Sequence, residues 1–232
     1  MSNNGFTPRK STMNDNQTIL FDLDGTLIDS SKSILTCFSS ALSDEEIVPA
    51  VPLTDAIIGP PLMETLALLA GTRDNELLDR LADRFKRHYD TEGFKETIAF
   101  DGIAEMLACL TASGIRLHIA TNKRLFPTLR ILEHLNWMKY FGEVFALDRW
   151  KPSAINKTKM LKRALDELDL RQQSPLYVGD RQEDADAAGA NNLPFALAQW
   201  GYNNNLPSNG STWLLLGTPA DLTTKFCCQK YD

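Results

Sequence analysis

The sequence predicts an α/β fold: a parallel sheet with helices on both faces, interrupted after its first strand by a small all-helical insertion. Three observations predict it. Short, continuous apolar runs end in Asp, Asn, Gln or Gly, as strands buried on both faces do. Segments with apolar residues at helical spacing lie between those runs. One long stretch carries helical patterns and no strand pattern.

The first ordered element begins at Thr18. Ile19, Leu20, Phe21 and Leu23 form an apolar run closed by Asp22, Asp24 and Gly25, which reads as a buried strand followed by a tight turn. From Lys32 to about Ile98 several helical segments appear, one marked by Leu62, Leu66 and Leu69, another by Leu77, Leu78, Leu81 and Phe85. Pro49, Pro52, Pro60 and Pro61 punctuate this region, which reads as an inserted helical domain over residues 32–98. Regular alternation then resumes. Ile103, Met106, Leu107 and Leu110 mark a helix; Ile115 to Ala120 is a strand ending at Thr121 and Asn122. Leu125, Leu129, Leu132 and Leu135 mark the next helix, and Val144 to Leu147 a strand ending at Asp148. Met160, Leu161, Ala164, Leu165 and Leu168 form a helical face; Leu176 to Val178 is a strand ending at Gly179 and Asp180. Phe195 to Ala198 is a further strand, Trp213 to Leu216 an edge strand, and Pro219 to Phe226 a short closing helix. Residues 18–31 and 99–232 therefore compose the core. Residues 1–17 are polar and read as a disordered leader.

With 232 residues the chain can bury a sizeable core without staples. Apolar and charged contents of 43% and 23% are those of a globular protein. A net charge of −6 argues against nucleic acid as the main partner, because a phosphate backbone requires a basic footprint. It leaves room for a small phosphorylated metabolite, which needs only local cations. The four cysteines (Cys37, Cys109, Cys227, Cys228) form neither a zinc pattern nor a disulfide framework, so reduced thiols and a cytoplasmic location are expected. No apolar run reaches the roughly 18 residues that a membrane span requires.

In an open parallel sheet, ligands bind beyond the carboxyl ends of the strands. Those ends carry Asp22 and Asp24, Thr121 and Asn122, and Asp180 with Asp184 one turn later. A lysine, Lys157 or Lys151, lies between the second and third of these sets. Converging carboxylates, a hydroxyl and a lysine suit phosphoryl transfer with Mg²⁺.

Asp22-Leu23-Asp24-Gly25-Thr26-Leu27 resembles the first motif of the haloacid dehalogenase superfamily. Ile119-Ala120-Thr121-Asn122-Lys123 is similar to the second, and Val178-Gly179-Asp180 with Asp184 to the fourth. The resemblance covers nearly the whole chain, and the insertion matches the helical cap that the family places over a Rossmann-like core. Ile58-Gly59-Pro60-Pro61-Leu62, Asn122-Lys123 and Trp200-Gly201-Tyr202 look most like the phosphoglycolate phosphatase group.

The resemblance implies roles. Asp22 is the expected nucleophile, ionised at its ordinary pKa of about 3.9. Asp24 is the expected general acid and then base, its proton affinity raised by a second negative group. Mg²⁺ is assigned the carboxylates of Asp22 and Asp180 and the backbone carbonyl of Asp24, with Asp184 completing the shell or holding a water. Thr121 and Asn122 are expected on phosphoryl oxygens, and a lysine neutralises charge. Lys151-Pro152-Ser153-Ala154 keeps half of the family's common lysine motif; Lys157 heads a helix, where some relatives place theirs, and is favoured. Dehalogenases of the superfamily lack an aspartate at the position of Asp24 and P-type ATPases place lysine there, so Asp24 points to a phosphate ester. The implied activity is hydrolysis of a small phosphomonoester such as phosphoglycolate. A sugar phosphomutase, a 5′-nucleotidase or pyrophosphatase, and a non-enzymatic binding protein are the alternatives.

Other features have plainer readings. Arg84, Lys86, Arg87 and His88 form either a basic cluster facing substrate or a solvated helix face. His118 within a strand, and Trp200, Tyr202 and Trp213, are expected to be structural. Hinges for the insertion are expected near residues 30–33 and 97–101.

Overall fold

The computed structural model describes residues 17–202 and 212–227. The expected leader (save its last residue), the Asn- and Ser-rich stretch 203–211 and Cys228 lie outside the described residues.

Strand β1 (Thr18–Phe21) is buried along its whole length, which is why its sequence is unbroken apolar rather than alternating. It pairs in parallel with β4 (Arg116–Thr121) on one side and β6 (Leu176–Gly179) on the other. β5 (Phe141–Ala146), β7 (Phe195–Ala198) and β8 (Leu214–Leu216) complete a six-stranded, all-parallel sheet in the order β5-β4-β1-β6-β7-β8. The chain runs outward in both directions from β1, so the crevice for a ligand lies at the carboxyl ends of β1, β4 and β6.

Period-two alternation along β1 divides the interior. Ile19 and Phe21 join a cluster with α4 (Ile103–Ala112), α5 (Leu125–His134) and α8 (Pro219–Cys227). Leu20 faces the opposite cluster, built from α6 (Lys157–Glu167) and α7 (Gln182–Ala190). The strands and helices follow the sequence pattern closely. β5 begins at Phe141, earlier than its apolar run, because Phe141 pairs with Leu117 although Gly142 and Glu143 interrupt the apolarity.

Three helices form the insertion: α1 (Ser31–Asp44), α2 (Leu62–Ala70) and α3 (Asn75–Thr91). α3 buries Leu78, Leu81, Ala82, Phe85 and Tyr89 at helical spacing. Phe38 of α1 stacks on Phe85 with centroids 4.5 Å apart, and Phe85 on Tyr89 at 5.5 Å. The stretch is not wholly free of strand. Two-residue strands β2 (Ile28–Asp29) and β3 (Ile98–Ala99) pair antiparallel where the insertion leaves and rejoins the core. Among the described residues no helix is long and apolar enough to cross a membrane.

His118, on β4, is buried beside Phe145, and its Nδ1 has no hydrogen-bond partner among the described residues. Burial, reinforced by Arg116, lowers its pKa from 6.5 to about 4 against an opposing pull from Glu143. The unfolded chain therefore binds a proton here that the folded chain refuses, and stability falls as pH drops from 6.5 towards 4. His118→Leu removes that proton uptake. We predict a smaller fall in Tm between pH 7 and pH 5 for this variant than for wild type, read by thermal melting in matched buffers; an equal fall would show that His118 has no such role.

Candidate active site

Asp22 follows β1, Asp180 follows β6, and Asp184 lies in the first turn of α7. All three are buried, and one carboxylate oxygen from each lies within 4.8 Å of the others. Two backbone details make that approach possible. Gly25, in the turn after β1, has φ of +84°, and a Cβ there would collide with the Asp180 carboxylate. A Cβ at Gly201 would collide with the Gly25 carbonyl and with Asp180.

Lys157 sits between the acids. Its Nζ is 2.6 Å from Asp184 Oδ1 and 3.3 Å from Asp22 Oδ2. The side chain of Asn156 caps α6 by accepting from the Lys159 amide at 2.9 Å, which fixes Lys157 at the helix start. Lys151 is exposed. Asp184 also accepts from Tyr177 Oη at 3.1 Å and from the Arg181 amide at 3.0 Å. Asp180 accepts from Thr26 Oγ1 at 3.3 Å and from the Tyr202 amide at 3.0 Å, while Trp200 Nε1 donates to the Thr26 carbonyl at 2.9 Å. Trp200-Gly201-Tyr202, expected to pack, thus also orients an acid of the cluster.

The electrostatics overturn one expectation. Asp22 does not keep an ordinary carboxyl pKa. Burial pushes it up to about 8, Lys157 opposes the rise, and Asp184, Asp180 and Asp24 add to it. Asp180 is raised to about 6, by burial and then by Asp184, against Arg181, the Tyr202 amide and Lys157. Burial disfavours the Lys157 ammonium, yet Asp184 and Asp22 hold its pKa above the ordinary lysine value. One ammonium, with the Arg181 guanidinium 4.0 Å from Asp180, faces three carboxylates, and Asp22 Oδ1 is buried with no hydrogen-bond partner among the described residues. Such an all-oxygen set, short of positive charge and with an unpartnered oxygen, fits a hard divalent cation.

Asp24 faces elsewhere. Its carboxylate accepts from Lys123 Nζ at 3.0 and 3.2 Å and from Ser30 Oγ. The polar groups bonded to it are thus a cation and a hydroxyl, not the second negative group expected from sequence. Only its backbone carbonyl is left for the metal role implied by the resemblance. The Lys123 side chain is 8% exposed, with Nζ 4.5 Å from the centroid of the Tyr89 ring on α3. Burial opposes its charge, but Asp24 and Tyr89 hold its pKa above the ordinary lysine value. The sequence reading gave Lys123 no role. Its place directly after Thr121-Asn122, at a strand end lined with functional candidates, was the available signal.

Thr121 is buried and its Oγ1 accepts from the Lys123 amide at 3.2 Å. Asn122 Nδ2 donates to the Gly59 carbonyl at 3.1 Å and to both Glu183 oxygens, joining β4 to the insertion. The basic run on α3 does not face the site. Arg84 pairs with Glu45, Lys86 with Asp83 and His88 with Asp44, and Arg87 is exposed, so the run is a solvated face. Between core and insertion lies a cavity of about 80 Å³ that Asp24, Asn122, Lys123 and Arg124 border from the core, and Ile34, Phe38, Ile57, Phe85 and Tyr89 from the insertion.

Two predictions follow from this geometry. Gly201→Ala forces Asp180 away from the cluster. It should lower stability by about 1–3 kcal/mol, the usual cost of overpacking, and weaken Mg²⁺ binding; melting and isothermal titration check both, and unchanged values would reject the close-approach argument. The second concerns pH. Folded-state pKa values raised at Asp22 and Asp180 mean that cation-free stability from these groups is lost as pH rises from 3.8 through about 6 and about 8. Mg²⁺ should therefore raise Tm more at pH 8 than at pH 5; a pH-independent increment would contradict the assignment.

A family model described as haloacid dehalogenase-like hydrolase matches residues 19–198. A tyrosine-protein kinase, PtkA, of Mycobacterium tuberculosis is 35% identical over 187 residues, 80% of this chain but 63% of that protein. The chain thus spans less than two thirds of that relative's length. A phosphoglycolate phosphatase of Aquifex aeolicus is 30% identical over 89% of this chain and 94% of its own. The crystal structure of a predicted phosphatase from Clostridium acetobutylicum superposes with a TM-score of 0.78 at 28% identity, covering 90% of this chain and 97% of that one. Fold, motifs and matched length agree: the chain belongs to the haloacid dehalogenase-like hydrolase family.

Proposed function

We propose that this chain is a Mg²⁺-dependent phosphatase that hydrolyses a small phosphomonoester through an aspartyl-phosphate at Asp22. One observation carries the reading: three buried carboxylates gather their oxygens within 4.8 Å at the end of the central strand, and a further carboxylate two residues along borders a cavity.

Asp22, Asp180 and Asp184, with the Asp24 carbonyl, are the residues that would hold the cation. When bound, Mg²⁺ supplies positive charge against the phosphoryl oxygens and favours the ionised form of the carboxylates. An Asp22 oxygen attacks phosphorus, and the bond from phosphorus to the leaving oxygen breaks. Asp24 gives that oxygen its proton. Asp24 then takes a proton from water, whose oxygen attacks phosphorus, and the bond from phosphorus to Asp22 breaks. Lys157 neutralises Asp22 and Asp184, and Thr121 is assigned a hydrogen bond to a phosphoryl oxygen. Residues 32–98 act as a cap over a core of residues 18–31 and 99–232, opening for entry and closing to exclude water.

The relatives' names bring forward phosphoglycolate for one and protein tyrosine for the other. Near-complete coverage of the phosphatase relative favours hydrolysis, whereas the kinase relative has length this chain does not match.

Phosphate release from a panel of phosphomonoesters, with and without Mg²⁺, tests the reading. Asp22→Asn should lower turnover by at least about 10³-fold while Tm in the metal-free protein at pH 7 holds, because an Asp22 whose pKa is raised to about 8 is already largely neutral there. Asp24→Asn should slow both formation and hydrolysis of the aspartyl-phosphate by about 10²- to 10⁴-fold for a poor leaving group. Retained activity in Asp22→Asn would sink the nucleophile. Incorporation of label from ATP into tyrosine, without phosphate release from any ester, would favour the kinase reading instead.

A further inference from the structure

We infer that the leaving group this site takes is a small, uncharged, apolar alcohol. The inference rests on the phosphatase reading and narrows it. Phosphoglycolate, whose leaving group carries a carboxylate, is then a poorer substrate than an alkyl phosphate.

Position is the first argument. Asp24 borders the cavity between core and cap, while Asp22, Asp180 and Asp184 do not. The cavity therefore lies on the side of the acid that protonates the departing oxygen, and what fills it is the part of the substrate attached to that oxygen.

Lining is the second. The cap presents Ile34, Phe38, Ile57, Phe85 and Tyr89, all buried, with three of the rings stacked into one wall. Apolar surface of this kind rewards methylene groups and nothing charged.

Charge is the third. The two cations that border the cavity are both engaged. Lys123 holds both oxygens of Asp24, and Arg124 reaches both oxygens of Asp90. The cap's basic run on α3 pairs or points outward, away from the cavity. A carboxylate on the leaving group would thus meet an apolar cap wall in a space where, among the described residues, each bordering cation already has a partner. An unpaired buried charge is far more costly than a methyl group in the same place.

Size is the fourth. About 80 Å³ is well below the roughly 300 Å³ of the smallest pockets that take drug-sized ligands, so the cavity in this structure suits a leaving group much smaller than a nucleoside.

The test is a series of kcat/KM values for methyl, ethyl, propyl and butyl phosphate, set beside phosphoglycolate and adenosine 5′-monophosphate, all with Mg²⁺. Leaving-group chemistry is similar along the alkyl series, so the trend reads the cavity. We expect roughly a threefold to fourfold gain per methylene. We also expect butyl phosphate to exceed phosphoglycolate and adenosine 5′-monophosphate by at least tenfold. Phe85→Leu should flatten the gain between propyl and butyl phosphate. A flat or falling alkyl series, phosphoglycolate or the nucleotide at or above butyl phosphate, or an unchanged slope in a folded Phe85→Leu overturns the inference and leaves the phosphatase reading standing. Silence on every ester overturns both.

Discussion

Mutual repulsion of three carboxylates in a dry pocket is the constraint to which the rest of this molecule answers. Asp22, Asp180 and Asp184 bring carboxylate oxygens within 4.8 Å of one another, and burial alone would drive Asp22 and Asp180 to take up protons. The surroundings supply what positive charge and donors they can. Lys157 enters from a capped helix start, Tyr177 and the Arg181 amide bond Asp184, and Thr26 with the Tyr202 amide bonds Asp180. Gly25 and Gly201 leave out side chains that would collide there. The arrangement is still short of positive charge. A fold gains nothing in stability from such a cluster, so its persistence in a buried strand-end crevice makes sense as preparation for a cation.

The strand ends that carry this chemistry also hold the cap. Asn122, Lys123 and Arg124 follow β4 in sequence, and each reaches a different cap group: the Gly59 carbonyl, the Tyr89 ring and the Asp90 carboxylate. Arg181, next to Asp180, donates to the Asp55 carbonyl at 3.1 Å. Any opening of the cap would therefore break contacts made by the immediate neighbours of catalytic candidates. β2 and β3, two residues each, form the narrow ribbon through which such a movement would pass. On the proposed function, substrate entry and the state of the site would be coupled through short stretches of chain.

How much of this was legible in the sequence depended on range. β1 could be read because a strand covered on both faces leaves an unbroken apolar run, and the acids could be read because they terminate such runs. Lys157 could be preferred to Lys151 from its place at a helix start, and Asn156 is the cap that fixes that start. β2 and β3 are too short to show any period. The ion pair of Lys123 with Asp24 spans 99 positions, and the chain between them says nothing of the meeting. Arg84, Lys86 and His88 were open to misreading as substrate-facing. The buried positions of α3, Leu78, Leu81, Phe85 and Tyr89, already assign the inward face and leave the basic residues outside it. Tyr202 looked like packing because its amide, not its ring, bonds Asp180.

The two-residue spacing of Asp22 and Asp24 acquires its meaning from where β1 stops. A continuing strand would turn both side chains to the same face. β1 ends at Phe21, and the chain coils at once: the amides of Thr26, Leu27 and Ile28 all bond the Leu23 carbonyl. Asp22 is left among anions and one shared lysine. Asp24 is carried to Lys123, Ser30 and the edge of an apolar cavity. Two identical side chains thereby acquire different surroundings, which is how paired carboxylates divide nucleophile from acid.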